Sequence, residues 1–321
     1  MPNRTHLYVG PNPTSAWWDP HPTHQATCSN QTLRHDIKNT NSQTLVGCLQ
    51  GQKDEYHSRP TESLRWWEGG EILGGRDGLA GGTWLACGRD GRLAFVTNFR
   101  EVSSLPLAKS RGDLPVRFLK SKKKPMEFAV EIVKEADQFN GFNLILADIC
   151  SKTMVYVTNR PKGDQAFVTK VLPGIHVLTN ANLDTPWPKL GISSSSAMPY
   201  SILDLAKRLG DGFKEILDKC GTDGELADKE MIEKLMTNSI RDDMSLLPRV
   251  YPQEREHFLS SIFVDADTPL GRYGTRSTSA LSAKTNGELS FCEKYLDLES
   301  GQWKEHTISY EIERAEESND T

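Results

Sequence analysis

The stretch that decides the fold, residues 74–100, reads Gly-Gly-Arg-Asp-Gly-Leu-Ala-Gly-Gly-Thr-Trp-Leu-Ala-Cys-Gly-Arg-Asp-Gly-Arg-Leu-Ala-Phe-Val-Thr-Asn-Phe-Arg. Two strand-like segments, 83–87 and 93–98, flank a Gly-Arg-Asp-Gly sequence whose Asp-Gly pair favours the positive φ angles of a tight hairpin turn. Asn98 ends the second segment, and an amide held at a strand end can donate a hydrogen bond to a developing oxyanion. The stretch therefore predicts a hairpin with a candidate functional residue at its end. Taken alone, it is also compatible with an ordinary surface hairpin.

The composition is that of a soluble globular protein. The chain has 321 residues, 37% of them hydrophobic and 25% charged, which is enough for one large core or two modest ones. A net charge of −5 gives no electrostatic reason to expect nucleic acid, and the basic run at 120–124 is expected to be a solvated loop. We find no secretory signal and no apolar run near the ~20 residues that span a bilayer. Six cysteines without a Cys-x-x-Cys pair suit a reducing compartment, so we expect a cytoplasmic, non-secreted protein.

The first 50 residues differ from the rest of the chain. They contain five charged residues and are rich in Asn, Thr, Gln, His and Pro, with no period of 2 or 3.6. Little apolar surface is available there to offset the entropy of ordering, so we predict disorder over 1–47 and treat 1–52 as an atypical N-terminal segment. The cluster of His21, His24 and Cys28 lacks the four ligands and folded frame of a zinc site, and we predict no metal site.

From residue 53 to 314 the pattern is that of one α+β domain, followed by a frayed acidic tail over 315–321. Helical periodicity predicts helices at 127–139, 201–219 and 227–236. Alternating and apolar runs predict strands at 142–149, 154–158, 174–180, 261–264, 277–282, 289–295 and 304–312. Helices bracketed by hairpin-linked strands indicate layers of sheet and helix rather than βαβ repeats.

Two common enzyme classes are disfavoured by the motifs. The glycine-rich stretch at 74–82 lacks the Gly-Lys-Ser/Thr ending of a phosphate-binding loop, and no helix pattern follows it. The serines lie in no Gly-x-Ser-x-Gly elbow, so a Ser–His–Asp hydrolase is also poorly supported.

A dispersed set of polar residues makes a better candidate site. Asn98 and Asn180 each end a predicted strand, Asp54 precedes a turn, and Arg276 precedes another strand. Two strand-end amides can flank a carbonyl group, and an Arg–Asp pair can hold geometry. The alternative is that the asparagines close turns and the arginine pairs locally.

Several segments together resemble the NRDE family, the family of the Transport and Golgi organisation protein 2 homologues. They are residues 54–60, 81–84, 96–98, 110–112, 140–144, 178–180, 185–187 and 273–276, which occur in the family's order over roughly 53–312. The sequence also looks plant-like, so we expect a plant origin. The resemblance implies a fold like that of the N-terminal nucleophile hydrolases, with four layers αββα and two antiparallel sheets at the centre.

The same resemblance implies the function. It associates the family with Golgi organisation, protein secretion and the handling of haem or lipids, in the cytoplasm or in association with the Golgi or mitochondria. It places Asp54, Asn98, Asn180 and Arg276 in the pocket, with Glu55, Arg59 and Trp84 as candidate ligand-binding residues. No cofactor is required. Haem is a candidate ligand, and its conceivable axial ligands are His57, His176, Cys150 and Cys292.

The chain departs from the family pattern at its beginning. Family members resemble Met-Cys followed by a hairpin and Asn-Arg-Asp-Glu, and the cysteine would be the nucleophile of a C–N amide hydrolase. Here residues 1–2 are Met-Pro, residues 52–55 read Gln-Lys-Asp-Glu, and the first hairpin is expected to be missing. Cleavage before Cys48 would leave room for neither a strand pair nor its turn, and at most one short strand is expected near 44–49. The sequence thus predicts a non-enzymatic family member, with an amidase-like cysteine hydrolase as the alternative.

Overall fold

A computed structural model of the protein describes residues 31–35, 48–50, 54–101, 104–160, 167–184, 200–220, 228–247, 251–284 and 286–313. The strands are β1 (Gln31–His35), β2 (Cys48–Gln50), β3 (Asp54–Tyr56), β4 (Thr61–Trp66), β5 (Ile72–Asp77), β6 (Leu85–Gly88), β7 (Arg92–Asn98), β8 (Phe142–Asp148), β9 (Thr153–Thr158), β10 (Phe167–Lys170), β11 (Gly174–Leu178), β12 (Asp265–Thr268), β13 (Gly271–Thr275), β14 (Ser277–Ala283), β15 (Glu288–Leu296) and β16 (Trp303–Glu311). The helices are α1 (Asp113–Ser121), α2 (Pro125–Val133), α3 (Tyr200–Cys220), α4 (Asp228–Leu235) and α5 (Gln253–Phe258), with 3-10 turns at Ala136–Gln138 and Met244–Leu246. None of these helices is long and apolar enough to cross a bilayer.

Two antiparallel sheets form the centre of the molecule. The seven-stranded sheet has the order β10-β9-β8-β7-β6-β5-β4, so each strand pairs with its neighbour along the chain. The six-stranded sheet has the order β11-β1-β2-β14-β15-β16. A small third sheet, β12-β13-β3, carries the start of the folded domain at Asp54. Neighbouring strands joined by short turns favour the antiparallel arrangement.

The apolar side chains divide into layers. One core cluster, which includes Phe95 of β7 and Phe291 of β15, lies between the two large sheets. A second cluster packs α1 and α2 against the other face of the seven-stranded sheet, and a third packs α3 and α4 against the six-stranded sheet. Burying a phenylalanine side chain of this kind contributes about 1.5–3 kcal/mol. The predicted α+β fold with four layers αββα is therefore confirmed.

Strand β7 shows why its sequence is apolar almost throughout. Leu93 and Phe95 face the core between the sheets, whereas Ala94 and Val96 face the helices. Successive side chains of a strand point to opposite faces, and here both faces are covered. The polar end of the strand, Thr97 and Asn98, is buried as well, so these two side chains must find hydrogen-bond partners within the protein.

The expectation that the first hairpin is missing is wrong. Strands β1 and β2 pair with each other and fill the space between β11 and β14, with Gln31 opposite Gln50 and Ser279 also opposite Gln50. Backbone groups alone make this ladder, so it does not need an apolar period in the sequence. Without it, β11 and β14 would each present an unpaired edge. The short strand expected near residues 44–49 corresponds to β2, whereas residues 1–30 and the tail over 314–321 lie outside the described part.

Two predicted elements also differ in their bounds. Residues 261–264 form no strand, because the Ser261 hydroxyl donates to the carbonyls of Phe258 and Phe263 and offers the backbone an alternative to a ladder. The strand begins at Asp265 instead. The helix predicted over 127–139 ends at Val133 and continues as a 3-10 turn. The other predicted helices and strands are present within one to three residues of their expected bounds.

Candidate functional site

A cavity of about 410 Å³ lies beside the end of β7. Its walls come from β3 and the turn after it, β5 to β7, and the loop that leads into α1. The described lining residues are Glu55, Arg59, Asp77, Ala80, Thr83, Trp84, Val96, Asn98, Pro106, Leu107, Ala108, Lys109, Ser110, Arg111, Gly112 and Asn140. Of the residues predicted for the site, Asn98, Glu55, Arg59 and Trp84 belong to this lining.

The two strand-end asparagines meet although they come from different sheets. The Asn180 Nδ2 donates to the Asn98 carbonyl at 2.7 Å, and the Arg100 amide donates to the Asn180 carbonyl at 2.8 Å. Asn98 is 4% exposed and lines the cavity, whereas Asn180 is half-buried and supports it from behind. The structure therefore joins these two predicted residues, with Asn98 as the one that faces the cavity.

A buried asparagine, Asn143 of β8, holds the segment after β11 in place. Its Nδ2 donates to the carbonyl of Ala181 at 2.8 Å, to the Thr97 hydroxyl at 3.1 Å and to the carbonyl of Thr179 at 3.2 Å. Its Oδ1 accepts from the Tyr156 hydroxyl at 2.8 Å. Burial raises the pKa of Tyr156 to about 12, so the hydroxyl stays a donor at neutral pH. These bonds fix Asn180 relative to β7.

Charged residues line the wall that belongs to β3 and β5. Arg59 binds Asp77 in a bidentate pair, with Nε to Oδ2 at 2.9 Å and Nη2 to Oδ1 at 3.1 Å. The fully buried Glu55 carboxylate lies 3.6 Å from the Arg59 Nε and accepts from the Tyr56 amide at 2.9 Å. Asp77 also accepts from the amides of the turn that follows it, which fixes the pair on a rigid element. Sequence reasoning overlooked Asp77, which follows Gly-Gly-Arg in the opening stretch.

Arg276 lies behind this wall rather than in the cavity. Its Nη1 donates to the Arg59 carbonyl and, at 3.1 Å, to the Thr61 hydroxyl. Burial lowers the pKa of Arg276, and the charges of Glu55 and Asp77 partly offset that effect. Arg276 thus orients the turn that carries Arg59. Asp54 pairs through its backbone with Thr275, and its side chain lies outside the described part.

The loop of residues 104–112, here called the α1 loop, forms the remaining wall. Asn140 Oδ1 accepts from the Leu105 amide at 2.6 Å, and the Gly112 carbonyl accepts from the Thr83 amide at 2.9 Å. Gly82 and Gly112 approach so closely that a Cβ at Gly82 would lie 2.5 Å from the Gly112 carbonyl carbon. Arg111 of this loop lines the cavity and was not among the predicted site residues. The Ser-Arg-Gly segment that contains it was available as a signal in the resemblance.

The conceivable haem ligands do not lie in the described lining. Both ring nitrogens of His176 face acceptors: Nδ1 lies 2.5 Å from the Asp184 carboxylate, and Nε2 lies 2.7 Å from the Leu172 carbonyl. The hydrogen bond to the Asp184 carboxylate raises the pKa of His176. Burial lowers the pKa of His57. Cys292 is fully buried and Cys150 is exposed. Within the described residues no group of three or more His, Cys, Asp or Glu side chains could hold a metal ion, and the cluster of His21, His24 and Cys28 lies outside them.

The arrangement can bind a molecule that is polar at one end and apolar along its length. Asn98, Arg59 and Arg111 present polar and cationic groups, and Trp84, Val96, Pro106 and Leu107 present apolar surface. No cysteine or histidine is among the described lining residues. This part of the site can therefore orient and polarise a ligand, and it holds neither a thiol nor an imidazole.

Comparisons with known proteins agree on one family. The model of the family described as "Transport and Golgi organisation 2" matches residues 40–298. The chain is similar to the Transport and Golgi organization 2 homolog of Mus musculus, 26% identical over 277 residues, and to that of Homo sapiens, 27% identical over 277 residues. Each of these alignments covers 83% of this chain and 92% of the relative.

Two solved structures are distantly similar. The Caenorhabditis elegans N-acylethanolamine-hydrolyzing acid amidase ortholog has a TM-score of 0.34 and 16% identity, covering 72% of this chain and 97% of that one. A mutant of the conjugated bile acid hydrolase from Clostridium perfringens has a TM-score of 0.37 and 11% identity, covering 89% of this chain and 97% of that one.

Proposed function

Since the Transport and Golgi organisation 2 model matches most of the chain, this protein belongs to that family, and we propose that it supports Golgi organisation and protein secretion by binding a small amphipathic ligand, a lipid or haem. The binding site is the cavity beside Asn98. The family membership supports the cellular role, and the cavity supports the binding role.

The observation that carries the binding role is that apolar and polar side chains line different walls of the cavity. Trp84, just before β6, and Val96 of β7 supply apolar surface, and charged and amide side chains line the other walls. A cavity that combines apolar surface with placed polar groups suits a small molecule that has both an apolar and a polar part. The volume of about 410 Å³ falls within the range of ligand pockets, roughly 300–1,000 Å³.

The proposal places the protein in the cytoplasm, in association with the Golgi or with mitochondria. The buried thiols of Cys87 and Cys292 form no disulfide within the described residues, and they support this location because such thiols persist in reducing compartments. A fluorescently tagged full chain, imaged with Golgi and mitochondrial markers, tests it. Accumulation in the secretory lumen or the culture medium would contradict the proposal.

The binding role is tested by filling the cavity. Ala108 is a half-buried lining residue on the α1 loop, and Ala108→Trp should fill much of the space without touching the core. We expect the full chain to bind haemin, followed by Soret absorbance, or decanoate, followed by calorimetry, and Ala108→Trp to weaken that binding at least tenfold. Leu298→Trp, an exposed position in the turn between β15 and β16, is the matched control and should not change it. Lack of binding of both probes to the wild type would refute the role, as would unchanged binding by Ala108→Trp.

A His57→Ala variant separates two ways of holding haem. If haem lies in the cavity and is held by its carboxylates and ring, the Soret shift survives the substitution. Loss of the shift with retained decanoate binding would instead assign His57 as an iron ligand outside the described lining.

The second candidate function is hydrolysis of a C–N amide bond, in which water adds to the acyl carbon and the amine leaves. The paired strand-end amides favour it, because Asn98 is held by Asn180 in a position to donate to a substrate carbonyl. Incubation with a fluorogenic N-decanoyl amide tests it. Release of the amine above the uncatalysed rate, lost in Asn98→Ala, would make this protein an amidase, and absence of release favours the binding role.

A further inference from the structure

Arg111 differs from the other cations of the cavity in its partners. Arg59 binds Asp77 and Lys109 binds Glu135 at 3.0 Å, so each has a carboxylate within reach. The Arg111 Nη1 donates to the Gly141 carbonyl at 2.9 Å, and no carboxylate of a described residue lies within ion-pair distance of its guanidinium. The Nε and Nη2 edge of Arg111 makes no hydrogen bond to the described part of the chain.

The Glu101 carboxylate, whose negative charge also acts on Arg111, is hydrogen-bonded to another arginine. Glu101 Oε2 accepts from the Arg160 Nε at 2.8 Å and from its Nη2 at 2.6 Å, while Oε1 accepts from the Gly141 amide at 2.7 Å. The group of Arg111, Arg160 and Glu101 therefore holds two positive charges and one negative charge. One positive charge is left over, and it belongs to the side chain that lines the cavity.

The surroundings keep Arg111 charged and fixed. Burial lowers the pKa of Arg111 to about 10, which still leaves the guanidinium protonated at neutral pH. Arg111 stands at the end of the α1 loop, one residue before Gly112, whose carbonyl accepts from the Thr83 amide. Arg111 is half-buried and has lost part of its hydration, and an anion that binds beside it compensates for that loss.

From this geometry we propose that Arg111 binds the carboxylate of an amphipathic ligand whose apolar part lies along Trp84, Val96 and Leu107. This inference rests on the proposed function and names the chemical class of the ligand. A guanidinium offers two parallel N–H donors that match the two oxygens of a carboxylate, and the Nε and Nη2 edge of Arg111 has both of them available. Leu107, which lines the cavity and is 97% exposed, and the neighbouring Leu105 supply apolar surface where the cavity meets solvent.

The test compares a charged ligand with a neutral one of the same length. Decanoate and decan-1-ol are titrated by calorimetry into the full chain and into Arg111→Met, Arg111→Lys and Lys219→Met. We expect the wild type to prefer decanoate at least tenfold and Arg111→Met to lose that preference while still binding decanol. Arg111→Lys, which keeps the charge but not the planar fork, should retain part of the preference. Lys219→Met, at an exposed position of α3 away from the described lining, is the control for a general loss of positive charge and should behave like the wild type.

The possible outcomes separate the two proposals. Equal affinities of the wild type for decanoate and decanol, or decanoate binding by Arg111→Met that equals the wild type, would refute the role of Arg111. If decanol binding is then still abolished by Ala108→Trp, the cavity remains a ligand site and the proposed function stands. Retained decanol binding by Arg111→Met also shows that this variant keeps its cavity folded. A parallel titration with haemin, whose propionates are also carboxylates, identifies which molecule supplies the carboxylate. Tenfold weaker haemin binding by Arg111→Met favours haem, whereas an effect on decanoate binding alone favours a fatty acid.

Discussion

Replacing Asn143 by leucine should separate the strand-end site from its support while keeping the volume of the core. Asn143 is fully buried, and its amide joins β8 to the segment after β11 by bonds to the carbonyls of Ala181 and Thr179. Leucine has nearly the same size but cannot donate or accept. The substitution leaves the Ala181 carbonyl and the Tyr156 hydroxyl without their partner at 2.8 Å.

The magnitude follows from the groups that lose a partner. A buried polar group left unsatisfied costs about 1–3 kcal/mol. The Thr179 carbonyl keeps the Thr97 hydroxyl at 3.3 Å, and the Tyr156 hydroxyl keeps a weak contact with the Asn182 Oδ1 at 3.5 Å, so these two groups lose little. The Ala181 carbonyl loses most. We therefore expect the free energy of unfolding to fall by about 3 kcal/mol, which is a large part of the total stability of a typical domain.

A double-mutant cycle with Tyr156→Phe isolates the hydrogen bond between the two side chains. In the wild type, Tyr156→Phe leaves the Asn143 Oδ1 without its donor and should cost about 1 kcal/mol. In the Asn143→Leu background the same change removes a poorly paired hydroxyl and should cost little, so the coupling energy should reach about 1 kcal/mol. Urea unfolding followed by far-UV circular dichroism measures all four proteins.

Two results would contradict this reasoning. A loss below about 1 kcal/mol for Asn143→Leu would mean that the carbonyls of Thr179 and Ala181 find other partners at no cost. Strict additivity of the two substitutions would mean that the bond from the Tyr156 hydroxyl to Asn143 does not contribute. Decanoate binding gives a second readout, because loosening the segment that carries Asn180 should also weaken binding beside Asn98.

Two further predictions address packing and pH. Gly75→Ala should destabilise the protein by about 1–3 kcal/mol and change the Trp84 fluorescence, because the added Cβ would lie 2.5 Å from the Trp84 Cη2. In Gly88→Ala, the control, the Cβ would meet the end of the Asp90 side chain and lie at an ordinary 3.6 Å from the Glu71 carbonyl. Unchanged fluorescence in Gly75→Ala would contradict the contact. The Asp184 hydrogen bond raises the pKa of His176 above its ordinary value of 6.5, so the stability it adds is complete below pH 6.5 and is lost as the pH rises through the raised value. Urea unfolding between pH 5 and 8.5 should therefore show that His176→Gln costs most stability at low pH. Burial lowers the pKa of His57, so the wild type should lose stability relative to His57→Gln below pH 6.5. Parallel curves of stability against pH for all three proteins would refute both assignments.

The candidate site shows how far sequence reasoning can go. Asn98 could be proposed from the sequence because it ends an apolar strand, and a strand-end polar residue is a local property. Arg111 stands between Ser110 and Gly112 in a loop, and nothing in its sequence neighbourhood marks it as the cation of the cavity lining that lacks a carboxylate partner among the described residues. That property depends on Arg160 taking Glu101, a pairing across 59 residues.

The same distinction explains the error about the first hairpin. The low-charge segment before residue 50 has no apolar period, so local propensity gave no reason to expect strands there. The β1–β2 pair forms because β11 and β14 leave two unpaired edges between which a short backbone ladder fits. This condition exists only after β11 and the strands β14 to β16 have come to lie on either side of the gap.

The sequence by itself determined the local elements of this protein and the layers they build. Periods of 2 and 3.6, the Asp-Gly turn and the glycines set which segments become strands or helices and which faces are apolar, because those properties depend on a few neighbouring residues. The tertiary structure alone decided which polar groups meet. Asn180 reaches Asn98 across 82 residues because strands of two different sheets end at the same side of the sandwich, and Arg111 has no carboxylate partner among the described residues because folding pairs Glu101 with Arg160.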